Sequence, residues 1–487
     1  MMQRCSRGGA PDLGQLSAEN SEAVVSLRNI LGIKFDATAA EEAPVLTRSG
    51  ATDEGAFILT PDFARIFSLD SRILYVFGRK GTGKTRLVRE LSERRLGVPL
   101  LVAQDFSNGG IQSPGADFSA LMATCGGNLE LFWLVLLRCG ISSENNLSSE
   151  VKRVVKLSPM ELQHYGSLAE IERVVSDWSE NERRVYLIDG VETAVPASQM
   201  RLFVESLFRF LGAVQYSRVI SRRVTVRLFL RSDLQRGAAQ NIEQQIEGSS
   251  LYLRWDKVSI LNFAVARLSS LPWFRDNFPK VCEKIDERMS EIERGALGES
   301  EAEELLLEIF PAGLERNKVK TTTFFATYFS DAGGDAEAKA SFYPRLFDGF
   351  LREMNDRGLE SAKNPVKADR VESAFVLRAY DEASGAFIEE VKAELFNLLD
   401  LNQDDSINKD EVTKFILAFS GLKTPFTLDQ IVVQLAEKTG VESAKVRESL
   451  SRMKQLGIFE DRPGFPGEWR TGRLYKAGLQ MKYVRQK

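Results

Sequence analysis

From Phe57 onward, short runs of β-branched and aromatic residues alternate with longer amphipathic stretches; the runs fall at residues 73–77, 98–102, 185–188, 224–230 and 251–253. Brief continuous apolar runs between helical patterns are typical of strands buried on both faces, so the pattern predicts an α/β fold, five strands of a parallel sheet with helices around it. Residues 117–139 show helical periodicity through Phe118, Leu121, Leu131, Phe132, Trp133 and Leu136, which predicts a buried helical insertion within about 106–180. Between 271 and 385 charged helical segments such as 280–293 and 301–309 take over, as in a helical lid. A helix at 387–399, three short helices and a Gly/Pro-punctuated stretch at 462–472 follow, an order that suits a winged helix, in which a hairpin comes after the third helix. Residues 1–50 are rich in Ala, Gly, Ser and Glu with one short apolar stretch, so a loosely ordered arm is expected there. The expected units are therefore 1–50, 51–270, 271–385 and 386–487.

Composition narrows the chemistry. The hydrophobic content of 43% over 487 residues is enough for several self-sufficient cores. Cys5, Cys125, Cys139 and Cys282 lack CxxC spacing, which argues against a zinc site or a disulfide framework, and a single histidine, His164, removes His-based triads and two-His metal sites. No apolar core follows Arg4 and Arg7, and the longest apolar run, 131–137, falls far short of the about 20 residues that span a bilayer. A cytoplasmic protein with no membrane partner is expected. The formal charge of −4 supplies no global field toward nucleic acid, so such a partner would need a local patch.

The strand at 73–77 runs straight into Gly78-Arg79-Lys80-Gly81-Thr82-Gly83-Lys84-Thr85, and a helical pattern begins at Arg86. This is GxxxxGKT in its required strand–loop–helix context, a specific signal for a triphosphate-binding loop. Glycines let backbone amides close on phosphate oxygens, and the helix N-terminus adds partial positive charge. Residues 78–86 form the candidate nucleotide contact, with Lys84 reaching the β- and γ-phosphates and the Thr85 hydroxyl facing Mg²⁺.

A magnesium triphosphate also needs a carboxylate at the end of a neighbouring strand. Asp189 ends the run Val185-Tyr186-Leu187-Ile188 and fills that role. Glu192 is the nearest candidate for polarising the attacking water, although DGVE lacks the adjacent acidic pair of the commonest motif. The fourth strand ends in Leu230-Arg231-Ser232-Asp233; Arg231 or Asp233 would sense the γ-phosphate if this strand lies between the other two. Helix capping by Ser232 or Asp233 is the competing reading.

Residues 441–487 hold 11 Lys and Arg against 5 Asp and Glu. Lys445, Arg447, Arg452 and Lys454 on the third helix, with Arg470, Arg473 and Lys476 beyond it, form a candidate phosphate-facing patch; docking to protein is the alternative. Residues 400–411 match a calcium loop at Asp400, Asn402, Asp404 and Glu411, but Asp405 stands where glycine should turn the chain. Two helices joined by a polar loop would look the same, so Ca²⁺ stays an open and weaker expectation than Mg²⁺.

The blocks FGRKGTGKT, LIDGVE, FLRSD, LYLRWD and FYPRLF together resemble bacterial P-loop ATPases of the STAND and KAP type, many linked to phage defence. The resemblance spans roughly 55–487; its loop is specific and the later blocks are suggestive. It implies an additional-strand sheet, ATP rather than GTP, and a Pro-Arg pair that maps to Pro344-Arg345 and brings Arg345 near the γ-phosphate. It also implies a switch whose nucleotide state is coupled to lid and winged-helix position, acting by self-assembly or through a separate effector. An ATP-dependent DNA-binding initiator and a nucleotide-binding scaffold with negligible turnover are the rival readings.

Overall fold

The protein was analysed as a computed structural model, which describes residues 57–67, 71–103, 109–143, 146–179, 181–232, 234–235, 246–314, 319–331, 341–399, 409–455, 457–462, 464–476 and 478–484. The N-terminal arm at 1–50, Asp233 and the calcium-loop candidates Asp400, Asn402 and Asp404 lie outside these residues. Glu411 falls in the helix Lys409–Leu417, and its side chain is likewise outside the description.

Six strands form one parallel sheet in the order β3-β2-β4-β5-β1-β6. They are β1 (Tyr75–Gly78), β2 (Val98–Ala103), β3 (Ile111–Ser113), β4 (Arg184–Ile188), β5 (Val224–Arg231) and β6 (Ser250–Tyr252). The strand period of two explains the two-sided core. Tyr75, Phe77, Tyr186, Ile188, Leu228 and Leu230 face one apolar cluster, whereas Val76, Val185, Leu187 and Phe229 face the other. Helices therefore cover both faces, as an all-parallel sheet requires.

The first face is covered by the helices inserted between β3 and β4 and by the helix Ala197–Tyr216. The stretch 117–139 is two helices rather than one, Ala116–Thr124 and Leu129–Ser142. Gly126 and Gly127 take positive φ angles of 59° and 79°, and the Asn128 side chain accepts from the Leu131 amide to start the second helix.

The opposite face is shared by the phosphate-loop helix (Lys84–Glu93), the lid helices and the C-terminal elements, which join in one continuous core. Phenylalanines dominate the lid; the Phe329 and Phe347 rings lie 4.2 Å apart. A helix expected to begin at 387 begins at Ser373 and runs unbroken to Leu399, linking lid and C-terminal elements. After it come the helices Lys409–Leu417, Leu428–Thr439 and Ser443–Gln455 and a three-stranded antiparallel sheet in which Glu468–Thr471 lies between Phe426–Thr427 and Phe459–Asp461.

Candidate functional site

β5 lies between β1 and β4, so one additional strand separates the glycine-rich loop from the strand that carries Asp189. Gly78 pairs in register with Arg231, which puts buried Arg231 beside the base of the loop. The loop is held in shape by its own sequence. Gly81 and Gly83 have φ angles of 80° and 92°, and a Cβ on Gly78 would stand 2.5 Å from the Thr82 hydroxyl. The Thr82 hydroxyl donates to the Arg79 carbonyl at 2.8 Å, and the Lys84 ammonium donates to the Gly78 and Arg79 carbonyls at 2.9 and 3.0 Å. Those neutral acceptors are weaker partners for an ammonium than phosphate oxygens, so Lys84 is poised at the loop mouth.

Trp255, within the LYLRWD block, braces the loop from the side. Its indole N–H donates to the Thr82 carbonyl at 3.0 Å, and its own carbonyl accepts from the Phe342 amide at 3.0 Å. Loop and lid are thus pinned to one residue. Pro344 starts the lid helix (Pro344–Glu360), and Arg345 in its first turn lies over the loop: a Cβ on Gly81 would stand 3.0 Å from that of Arg345. The lid helix is fixed in turn by Asp348, whose carboxylate accepts from Arg267 and from Arg352 at 2.8 Å.

Asp189 closes the site from the far side. Its amide donates to Leu101 of β2 at 2.9 Å, and the next residue, Gly190, approaches β2 so closely that a Cβ would lie 2.4 Å from the Ala103 amide nitrogen. Only glycine allows the strand end to press against β2. The Asp189 carboxyl is buried, and burial, reinforced by the negative charge of Glu192, raises its pKa to about 6; the Thr85 hydroxyl and the Lys84 charge oppose that rise. The Thr85 hydroxyl and the Gly190 amide lie beside the carboxylate, yet neither of its oxygens has a hydrogen-bond partner of good geometry, nor has one oxygen of Glu192. Buried polar groups are nearly always satisfied. Two orphan oxygens beside a Thr hydroxyl fit a hard divalent cation such as Mg²⁺, which takes oxygen ligands and keeps several waters.

The structure thus brings Gly78, Lys84, Thr85, Asp189, Glu192, Arg231 and Arg345 to one end of the sheet. Lys80 is half-buried in the same loop. Arg86 points elsewhere: its guanidinium packs over the Phe57 ring and faces Glu90, and burial lowers its pKa to about 10. What it can offer a phosphate is its backbone N–H. Arg79 is turned toward the lid and C-terminal elements, donating to Asp331 at 2.7 Å and to the Tyr475 hydroxyl at 3.1 Å, with its guanidinium over the Tyr343 ring. Sequence reading missed Trp255 as a brace, and missed Asp331 and Tyr475, which lie 252 and 396 residues from Arg79.

The basic C-terminal residues are mostly engaged within the chain. Arg447 pairs with Asp429, Arg452 with Glu448, Lys454 with Asp461, Arg462 with Glu468 and Arg470 with Glu460. Arg473 stacks on Tyr328 of the lid.

No protein-family profile matches the chain, and no curated protein matches it. Among solved structures it is similar to the Walker-type ATPase PABY2304 of Pyrococcus abyssi, at 14% identity and a TM-score of 0.40, over 92% of this chain and 99% of that one. A likeness that distant bears no weight on function. Among the described residues, no helix is long and apolar enough to cross a membrane.

Proposed function

We propose that the chain is a P-loop ATPase. One observation carries the reading: Asp189, buried with both oxygens unpartnered, faces Thr85 and Lys84 of a GxxxxGKT loop across a single intervening strand. Lys84 and the loop amides bind the triphosphate, and Thr85 and Asp189 would hold magnesium, which when bound neutralises charge on the β- and γ-phosphates. Glu192 orients the attacking water and takes its proton as oxygen bonds to the γ-phosphorus and the bond to the bridging oxygen breaks, ADP leaving with that electron pair. Arg345 and Arg231 meet the charge spread over the γ-phosphoryl oxygens.

Calorimetric titration with ATP tests it. Lys84→Ala should weaken binding at least about 100-fold, in line with the loss of a charge-assisted contact worth several kcal/mol. Wild-type affinity in that variant would sink the proposal, and phosphate release from the wild type separates an ATPase from a scaffold without turnover.

Under this reading the chain works as a switch or assembly ATPase with a separate effector, of the kind used in antiphage defence. Support for the switch comes from the phosphate-loop residue Arg79, which reaches both lid and C-terminal residues. The order of helices and strands over 409–471 supports a winged-helix unit. Its internally paired basic residues favour protein contact over nucleic acid, since a phosphate backbone would have to displace five carboxylates.

A further inference from the structure

Asp331 lies outside every sequence motif, yet its carboxylate is the point where three parts of the protein meet. One oxygen accepts from Arg79 of the phosphate loop at 2.7 Å and from the Tyr343 hydroxyl at 2.5 Å. The other accepts from the Ser341 amide at 3.2 Å, and the Asp331 amide donates to the Ser341 carbonyl at 3.1 Å. The C-terminal chain covers it. Gly457, at a φ of 75°, lies so near that a Cβ would stand 3.1 Å from that of Asp331, and the Tyr475 hydroxyl shares the same arginine at 3.1 Å. Asp331 is buried, and so are Tyr343 and Tyr475, so water screens these contacts little.

Tyr343 directly precedes Pro344 and Arg345. A carboxylate that holds both Arg79 and Tyr343 therefore ties the start of the phosphate loop to the start of the lid helix. It sets how far Arg345 stands from Gly81 and hence from the place a γ-phosphate would take. The Tyr343 backbone adds to this registration, since its amide donates to the Phe329 carbonyl at 3.0 Å.

We propose that Asp331 is a positioning residue of the nucleotide site: acting through Arg79 and Tyr343, it places Arg345 for the γ-phosphate and so sets the discrimination between ATP and ADP. The proposal rests on the ATPase reading. Asp331 need touch no nucleotide; its charge is consumed by Arg79, and its effect appears only where a γ-phosphate is present for Arg345 to meet.

The test compares affinities for ATP and ADP, with magnesium, in the full-length protein by calorimetry. Asp331→Asn keeps the shape and removes the charge. The expected result is an ATP affinity lowered about tenfold with ADP changed less than about threefold, and little further loss when Arg345→Ala is added, as for residues that act as one unit. Tyr475→Phe removes the hydroxyl that faces Arg79 and Tyr343, leaves Asp331 in place, and should move the ATP-to-ADP ratio the same way by about two- to threefold. A merely structural role for Asp331 would weaken both nucleotides alike or lower the melting temperature alone; either result overturns the proposal. If Asp331→Asn fails to fold, Tyr475→Phe decides, and an unchanged ratio there overturns it. A wild type with equal affinity for both nucleotides also overturns it, whereas a wild type that binds neither overturns the ATPase reading instead.

Discussion

Gly81 of the phosphate loop lies directly under Arg345 of the lid helix: a Cβ on Gly81 would stand 3.0 Å from the Arg345 Cβ, so close that one of the two would have to give by a few tenths of an ångström. Two penalties would fall together on any side chain here, because Gly81 also holds a φ of 80°. An L-residue in the left-handed region costs about 1–2 kcal/mol, and the contact adds to it. Gly81→Ala should therefore reshape the loop or push Arg345 away, lowering ATP affinity by about tenfold or more. Titration with ATP reads this directly, and an affinity within twofold of wild type would show that loop and lid yield more easily than their packing implies.

Asp189 is expected to trade stability for ligand binding. Its pKa is raised from 3.8 to about 6 in the folded protein, chiefly by burial, so the folded state holds the proton more tightly than the unfolded one. The favourable contribution of this group is complete below its unfolded value and is lost as pH climbs through about 6; at pH 7 the buried charge is a net cost. Asp189→Asn removes that cost. Without nucleotide or magnesium the variant should unfold at higher temperature than wild type at pH 7, by an amount on the order of 1–3 kcal/mol. Magnesium should then add nothing to its stability with ATP present. Thermal melts in the four combinations of ATP and magnesium decide it, and a variant that melts lower while still responding to magnesium would contradict both halves.

The loop and the strand-end carboxylate Asp189 were legible because each is local: five to eight consecutive residues carry strand and turn together. Five strands could be read for the same reason, whereas β3 could not, since three residues at an edge, with only Ile111 strongly apolar, give no periodicity. The sequence pattern places a helix at 387–399, whereas the helix begins at Ser373; within its first half Ser384 donates to the Leu474 carbonyl at 3.0 Å, so tertiary contact outweighs local propensity. Arg86 drew attention through its place after Thr85, yet a helical turn from 86 to 90 carries its side chain inward to Glu90. The Arg79–Asp331–Tyr475 contacts had no sequence signal at all, because partners hundreds of residues apart share no spacing rule.

Asp348 offers a test of how firmly the lid helix is seated, because its carboxylate is buried between Arg267 and Arg352. Burial alone would raise its pKa, but the two arginines outweigh that effect and hold it below the usual 3.8. A depressed carboxylate stabilises the fold fully above its unfolded pKa and loses that contribution as pH falls toward the folded value. Asp348→Asn removes the carboxylate charge that faces Arg267, itself buried, and removing one partner of such a pair costs roughly 3–5 kcal/mol. Urea unfolding should show that deficit in full at pH 7 and still at about pH 5, and show it narrowing only below about pH 4, where wild-type Asp348 begins to protonate. The lid helix also carries Arg345, so ATP affinity should fall with stability in this variant. A deficit that is small at pH 7, or that narrows already between pH 7 and 5, would mean that the two arginines are satisfied by other groups and that Asp348 does not anchor the lid.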